Sequence, residues 1–129
     1  MQDTKTMFHK NIQQLTKENT NFRKVISTGT KIQLVLMSIP SGGELGIETH
    51  QNTDQILFFV EGIGEARLNG DSQKVQVDDV VFVPAGTEHN FVNNGESALK
   101  LYTVYAPPNH PDGIVEATKK AAEEKEPEG

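Results

Sequence analysis

The chain has 129 residues, of which 35% are hydrophobic, and a formal net charge of −6 at pH 7. This size and hydrophobic content fit one domain with a single core, and the acidic balance argues against nucleic-acid binding, which needs a basic surface. The absence of cysteine excludes disulfides and thiolate metal ligands and fits a reducing compartment. No signal peptide or membrane-spanning apolar run is visible, so we expect a cytoplasmic protein without a membrane partner.

Short apolar runs separated by Gly, Pro, Asn and Asp predict an all-β protein. We expect a polar N-terminal arm at 1–21, a β-barrel at 22–107 and a turn-rich, acidic C-terminal tail at 108–129. Many short strands without a long helical period are typical of a double-sheet jelly roll. The predicted strands are 22–27, 32–39, 46–50, 56–60, 65–68, 74–77, 80–83, 90–93 and 99–106.

Two local features can be predicted more sharply. Asn69-Gly70 predicts a type I′ hairpin turn, which needs a positive φ at both central residues. In the tail, the apolar stripe of a short helix would consist of Ile114, Ala117 and Ala121, which is thin. We therefore expect that helix to be solvated and to fray.

Three predicted strands are apolar on both faces, at 34–37, 56–60 and 80–83. A half-exposed strand would alternate, so the outer face of at least one sheet is expected to be covered. Either a homodimer or the N-terminal arm, through Met7-Phe8 and 12–15, could cover it. A bare patch of this kind would favour aggregation.

Four polar side chains are candidate metal ligands. Glu48 and His50 lie two residues apart in a predicted strand, so both face the same side, while Gln55 opens the next apolar run and His89 follows a Pro-Ala-Gly turn. Two imidazoles and one carboxylate suit one divalent transition metal ion per chain, such as Zn, Mn, Fe, Ni or Cu. Burying Glu48 without a cation is costly. This favours a metal site over a set of hydrogen-bonded remnants in a barrel that has lost its metal.

The spacing of these residues resembles the first motif of the cupin superfamily, Gly-x5-His-x-His-x3–4-Glu-x6-Gly. The corresponding residues here are Gly42, Glu48, His50, Gln55 and Gly62. Glu48 stands at the first His of the motif and Gln55 at its Glu, so the carboxylate and a neutral ligand have exchanged places. Gln55 would be a weak fourth ligand or would orient a bound water or Glu48.

The second cupin motif, Gly-x5-Pro-x-Gly-x2-His-x3-Asn, is matched by Asp78, Pro84, Gly86, His89 and Asn93. Only its opening Gly is changed, to an Asp that tolerates the left-handed conformation. The resemblance covers residues 31–107. It implies a double-stranded β-helix barrel with a short C-terminal helix or tail, a mononuclear metal site and a homodimer.

The resemblance further implies a small metal-dependent enzyme acting on a polar small molecule, of dioxygenase, isomerase or lyase type. The alternative is a non-catalytic cupin that binds a small ligand as a sensor or storage module. The fold and ligand set do not choose between them. If Gln55 faces the metal, the strand period of two also turns Leu57 and Phe59 inward. By the same period, Phe91 faces the same side of its strand as His89.

Three residues are weak candidates for catalytic acids or bases. Tyr102 and Tyr105 differ by three and face opposite sides of a strand, so one of them could reach the interior. His110 lies in a turn-rich segment whose chemistry favours a structural role. If His110 reaches the barrel mouth, titration near neutrality would suit it to proton transfer.

Overall fold

The computed structural model describes residues 7–125. No helix in this part of the chain is long and apolar enough to span a membrane. Its helices and strands, in chain order, are α1 (Ile12–Glu18), β1 (Arg23–Thr28), β2 (Gln33–Ile39), β3 (Asp54–Glu61), β4 (Gly64–Leu68), β5 (Asp71–Val75), β6 (Val80–Val83), β7 (His89–Val92), β8 (Leu99–Ala106), β9 (Val115–Glu116) and α2 (Lys119–Lys125).

The strands form two antiparallel sheets, with the orders β6-β3-β8-β2-β1-β9 and β5-β4-β7. Side chains of β2, β3 and β8 alternate between the two faces of the larger sheet, and their inward residues join residues of the smaller sheet in a single core. The all-β, jelly-roll fold class is thus confirmed. The buried core comprises Phe22, Val25, Val35, Met37, Ile39, Leu45, Leu57, Phe59, Ala66, Val75, Val83, Phe91, Leu99, Leu101, Tyr105 and Ala122.

Two differences from the predicted elements concern the site. The predicted strand at 46–50 is wrong, because this stretch makes a single isolated bridge, Glu48 with His89, and the neighbouring bridge, Glu44 with Val92, lies before it. The short strand β9, within the predicted tail, was not foreseen; it pairs with β1 and returns the chain to the large sheet. The boundaries of arm, barrel and tail remain predictions.

Positive φ angles occur where the turn chemistry predicts them. Asn69 has φ 48° and Gly70 has φ 89°, and the strands they join pair directly at Leu68 and Asp71, which is the two-residue hairpin expected from Asn-Gly. Asp78, the residue in place of the motif glycine, has φ 74°. The Gly-to-Asp change therefore keeps the backbone conformation of that turn.

The N-terminal arm covers part of the outer face of the large sheet. Helix α1 packs against β2, β3 and β8, and the outward-facing Leu36 of β2 is only 2% exposed. Nζ of Lys100 in β8 donates a hydrogen bond to the carbonyl oxygen of Lys17 at the end of α1 (2.6 Å). At the far edge of the same sheet, Val80 and Phe82 of β6 remain 54% and 56% exposed.

The C-terminal helix is less solvated than its sequence suggested. Ala122, which was not in the predicted stripe, is 3% exposed and belongs to the core, whereas Ala117 is exposed and Ala121 half-buried. Ile114 also packs against the core. The predicted stripe is therefore wrong in register, because the segment before the helix is extended at β9 and does not continue the helical period.

Gly62, the last glycine of the first motif, allows a stability test of that motif. Its φ is +90°, and a Cβ there would lie 2.5 Å from the carbonyl oxygen of Ala98, whereas Gly42 has φ +79° with open space around it. We expect Gly62→Ala to cost about 3 kcal/mol or more of unfolding free energy, and Gly42→Ala about 1 kcal/mol from backbone strain alone. Urea unfolding followed by circular dichroism measures both, and equal losses would contradict the steric argument.

Candidate metal centre

Three of the four predicted ligands converge in the barrel interior. One donor atom from each of Glu48, His50 and His89 lies within 4.8 Å of the other two. Oε1 of Glu48 is 3.6 Å from Nε2 of His50 and 3.9 Å from Nε2 of His89. Donors that share one ion at bond lengths of about 2.1 Å lie about 3–4 Å apart. Both carboxylate–imidazole distances therefore fit a single cation.

Backbone hydrogen bonds hold the three residues in place. Glu48 and His89 exchange two of them, each N–H donating to the other residue's carbonyl oxygen at 2.9 Å. The carbonyl oxygen of His50 accepts from the N–H of Gly86 at 2.8 Å. The two sequence motifs thus meet through their main chains, independently of any bound ion.

A β-bulge directs Glu48 inward. Leu45 and Glu48 each donate a backbone hydrogen bond to β7. Between these two bonds, Gly46 and Ile47 lie opposite a single residue of β7, Asn90. The side-chain oxygen of Asn90 accepts from the N–H of Gly46 at 2.9 Å, and Gly46 has φ +102°. The extra residue shifts the alternation, so Glu48 faces the interior like Leu45 while Ile47 is 71% exposed.

The histidines present unshared nitrogen atoms to the centre. Nε2 of His50 and Nε2 of His89 are buried and have no hydrogen-bond partner within the described part of the chain. Nδ1 of His89 lies 2.9 Å from the carbonyl oxygen of Thr87, which can only accept, so Nδ1 carries the proton and Nε2 the lone pair. Burial lowers the pKa of His89, which keeps the ring neutral as a metal ligand must be. These donors could hold a metal ion.

Gln55 lies in the same interior with its amide oriented. It is 2% exposed, and its Nε2 donates to Oγ1 of Thr103 at 3.1 Å, while Thr103 in turn donates to the carbonyl oxygen of Ile56 at 2.9 Å. Oε1 of Gln55 is buried without a hydrogen-bond partner among the described residues. The amide thus has one satisfied end and one oxygen available to a ligand, and its role as a direct ligand remains a prediction.

Apolar side chains surround these polar groups as the period of two predicted. Leu57 and Phe91 are fully buried and Phe59 is 2% exposed. The ring of Phe91 lies 6.1 Å from that of His89 and 5.9 Å from that of Phe59. This wall gives the site a low-dielectric side.

The structure distinguishes the two candidate tyrosines. Tyr102 faces outward, half-buried, and stacks on Phe58 with ring centres 4.7 Å apart. Tyr105 is 1% exposed, and its ring lies 5.8 Å from His50 and 5.0 Å from His110. Tyr105 is therefore the tyrosine that belongs to the site interior.

His110 reaches the interior but does not titrate near neutrality. Burial, followed by the positive charge of Arg23, lowers its pKa to about 3. Gln33 holds its backbone: Oε1 of Gln33 accepts from the N–H of His110 at 3.0 Å, and Nε2 of Gln33 donates to its carbonyl oxygen at 2.8 Å. His110 is thus a fixed, neutral side chain at physiological pH, and the expectation of titration near neutrality is wrong.

Sequence reasoning missed a buried ion pair next to this cluster. Nη1 of Arg23 lies 2.9 Å from Oε1 of Glu116, and the two side chains are 2% and 0% exposed. Burial lowers the pKa of Arg23, but Tyr105, Glu116 and Glu48 outweigh it, so the pKa lies above its ordinary value. The alternation that turns Val25 inward also turns Arg23 inward. The sequence therefore indicates that Arg23 faces inward, whereas no nearby pattern in the sequence indicates that Glu116 is buried.

Comparison with known proteins agrees with this geometry. Residues 35–105, more than half of the chain, match the family of the cupin domain. The uncharacterized protein YrkC of Bacillus subtilis is 42% identical over 118 residues, which are 87% of this chain and 63% of YrkC. The chain therefore spans less than two thirds of the length of that relative.

A solved structure and an enzyme extend the comparison. The crystal structure of BH2720 from Bacillus halodurans superposes with a TM-score of 0.90 at 41% identity, covering 92% of this chain and 94% of that one. Quercetin 2,3-dioxygenase of Bacillus subtilis is 28% identical over 79 residues, covering 60% of this chain and 23% of the enzyme. With the two motifs joined around one Glu-His-His cluster, these matches establish that the chain belongs to the cupin family.

Proposed function

We propose that this protein is a small metal-dependent enzyme that acts on a polar small molecule, with one divalent transition metal ion held by Glu48, His50 and His89. The observation that carries the proposal is the convergence of two buried, unshared imidazole nitrogens on one carboxylate. Unpaired polar atoms are costly inside a protein. A cation would satisfy all three side chains at once.

The donor set limits the ion and its chemistry. Two imidazoles and one carboxylate suit Zn, Mn, Fe, Ni or Cu and leave coordination positions for a substrate oxygen. When bound, such an ion polarises an oxygen ligand as a Lewis acid. Around it, Gln55 offers an amide oxygen, and the wall of Leu57, Phe59 and Phe91 would keep bulk water from the reacting atoms. A dioxygenase, isomerase or lyase reaction is compatible with these roles, and the similarity to quercetin 2,3-dioxygenase supports an enzymatic reading.

The alternative is a non-catalytic cupin that binds a small ligand. One observation favours it: His110, the side chain proposed for proton transfer, has a pKa near 3 and stays neutral throughout the physiological range. Catalysis would then need Tyr105 or a group of the substrate to move the proton. If the metal-loaded protein binds small ligands but converts none of them to product, the result would favour this alternative.

We also propose that the protein forms a homodimer through the outer face of the large sheet. Cross-strand pairing joins the outward side chains of four strands in two adjacent apolar rows, with no charged residue inside them, and such an apolar face suits a second copy related by a two-fold axis. The rows are Phe82-Ile56-Val104-Leu34 and Val80-Phe58-Tyr102; the next residue of the second row, Leu36, is already buried at 2% exposure, where α1 packs.

The metal proposal is tested on protein purified without chelator or affinity-column metal. We expect elemental analysis to find close to one transition metal ion per chain. Glu48→Gln removes the only anionic ligand and should lower metal affinity by more than the roughly 10–100-fold that loss of an outer hydrogen-bond partner costs. Glu96→Gln, which makes the same change at an exposed carboxylate between β7 and β8, is the matched control. Unchanged metal content in Glu48→Gln would mean that the ligands are misassigned.

The role of Gln55 is tested by restoring the carboxylate of the family motif. Gln55→Glu adds an anionic oxygen where the amide oxygen now is, so metal affinity should rise roughly tenfold or more if this residue is a direct ligand. Thr103→Val, which removes the hydrogen bond to Nε2 of Gln55 together with the one that Thr103 donates to the carbonyl oxygen of Ile56, is the control for amide orientation. Competition with a chelator of known affinity measures both variants. An affinity that stays flat or falls in Gln55→Glu would place Gln55 outside the ligand set.

The dimer is tested at β6. Phe82→Glu places a charge in the apolar face and should raise the dissociation constant at least about tenfold, whereas Ile63→Glu, at a similarly exposed apolar residue off the rows (43% exposed), should not. Sedimentation equilibrium compares the particle mass with the 14.2 kDa of one chain. A monomeric wild-type protein would refute the proposal.

A further inference from the structure

The two sheets leave an open groove between their free edges. β5 ends the smaller sheet and β6 ends the larger one, and a cavity of about 560 Å³ lies between these two strands. Leu68 and Val81, which pack against the core, line its inner side, while Val80 and Phe82 on its rim are 54% and 56% exposed. Free strand edges and exposed apolar side chains both favour contact with another chain segment. We call this cavity the edge groove.

The leading segment, residues 1–10, carries apolar side chains that its own fold leaves exposed. Met7 is 84% and Phe8 37% exposed, whereas Ile12 and Leu15 of α1 are half-buried on the chain's own sheet. Asn11 separates the two parts, because its side chain caps the helix while its backbone is extended. The helix is therefore docked within its own chain, and the apolar pair before it is available to another surface.

The edge groove borders the face that we propose for the dimer, because Val80 and Phe82 belong to both. That face is four strands wide from β6 to β2, about 14 Å at the usual strand spacing, and ten extended residues reach roughly 33 Å. The leading segment is thus long enough to reach β6 of either copy. Within one chain, however, Met7 and Phe82 both stay exposed, so the two surfaces do not meet there. A second copy would cover both, and a two-fold axis would make the contact twice.

The charges on the two surfaces are opposite in sign. The rim of the edge groove carries two carboxylates and one ammonium group, whereas the leading segment carries two lysines and one aspartate. These residues are Asp71, Asp79 and Lys74 on the groove and Lys5, Lys10 and Asp3 on the segment. Such complementarity favours this pairing over the contact of two like surfaces.

We propose that the leading segment of one copy docks in the edge groove of its dimer partner, with Met7 and Phe8 against Leu68 and Val81. The inference rests on the proposed homodimer. It is independent of the metal centre, whose predicted ligands do not line the groove. The exchange covers the apolar edge at Phe82 and gives each copy a contact that it lacks alone.

The first test uses cross-linking, which the absence of cysteine in the natural chain makes selective. His9→Cys places a thiol in the leading segment and Lys74→Cys places one on the groove rim, both at exposed positions. In the double variant, a short bis-maleimide should join residues 9 and 74 of different chains, giving a species of twice the 14.2 kDa of one chain. Mass spectrometry of the linked peptides from each gel band identifies the joined residues. His9→Cys with Lys120→Cys, an exposed lysine of α2, is the matched control and should not form the link.

The second test measures the dimer dissociation constant by sedimentation equilibrium. Met7→Ala removes a side chain that is 84% exposed within one chain, so a loss of affinity reports its contact with the partner. The dissociation constant should rise about tenfold or more, because each dimer loses two such contacts. Ile47→Ala, at an apolar residue that is 71% exposed and does not line the groove, is the matched control and should leave the constant unchanged.

The outcomes separate the exchange from the dimer itself. A monomeric wild-type protein refutes both. A dimer in which residues 9 and 74 are linked only within single chains means that the segment docks in its own groove, which overturns the exchange and leaves the dimer intact. A dimer without this link, or with the same dissociation constant in Met7→Ala as in the wild type, also overturns the exchange, because the groove would then have another occupant.

Discussion

The site depends on one irregularity of the backbone, the bulge at Gly46 and Ile47 opposite Asn90. In a regular strand, alternation from the core residue Leu45 would turn Glu48 toward solvent. The extra residue shifts the inward–outward alternation by one position, so that Glu48 faces the interior. The two backbone hydrogen bonds between Glu48 and His89 then hold the carboxylate beside the imidazole. A glycine with positive φ permits the bulge. The ligand geometry is therefore a property of main-chain pairing.

The barrel interior is divided into an apolar and a polar region. Leu57, Phe59 and Phe91 contribute to the hydrophobic packing that stabilises the sandwich, whereas the polar region collects charges that a small domain gains little from burying. Its hydrogen bonds leave specific atoms unshared, above all the Nε2 atoms of His50 and His89. Stability and function are thus supplied by different parts of one core.

Much of the fold follows from local chemistry. Apolar runs broken by turn residues give the all-β class, and Asn69-Gly70 gives its hairpin because few residue pairs accept two positive φ angles. The period of two correctly turned Gln55 and its neighbours inward. At 46–50 the predicted strand is absent, although the period of two correctly placed Glu48 and His50 on one face. In the tail the predicted helical stripe is wrong, because a two-residue strand changes the phase before the last helix.

The sequence by itself determined the residue types and spacing of the metal ligands, since motif spacing fixes which side chains follow each turn. Only the tertiary structure decided which tyrosine faces the site, that His110 is neutral, and that Arg23 meets Glu116. The physical reason is distance along the chain: Arg23 and Glu116 are 93 positions apart, and the pairing of β9 with β1 depends on how the whole sheet assembles. Burial, which shifts the pKa of His110, is likewise a property of the assembled barrel and not of any short segment.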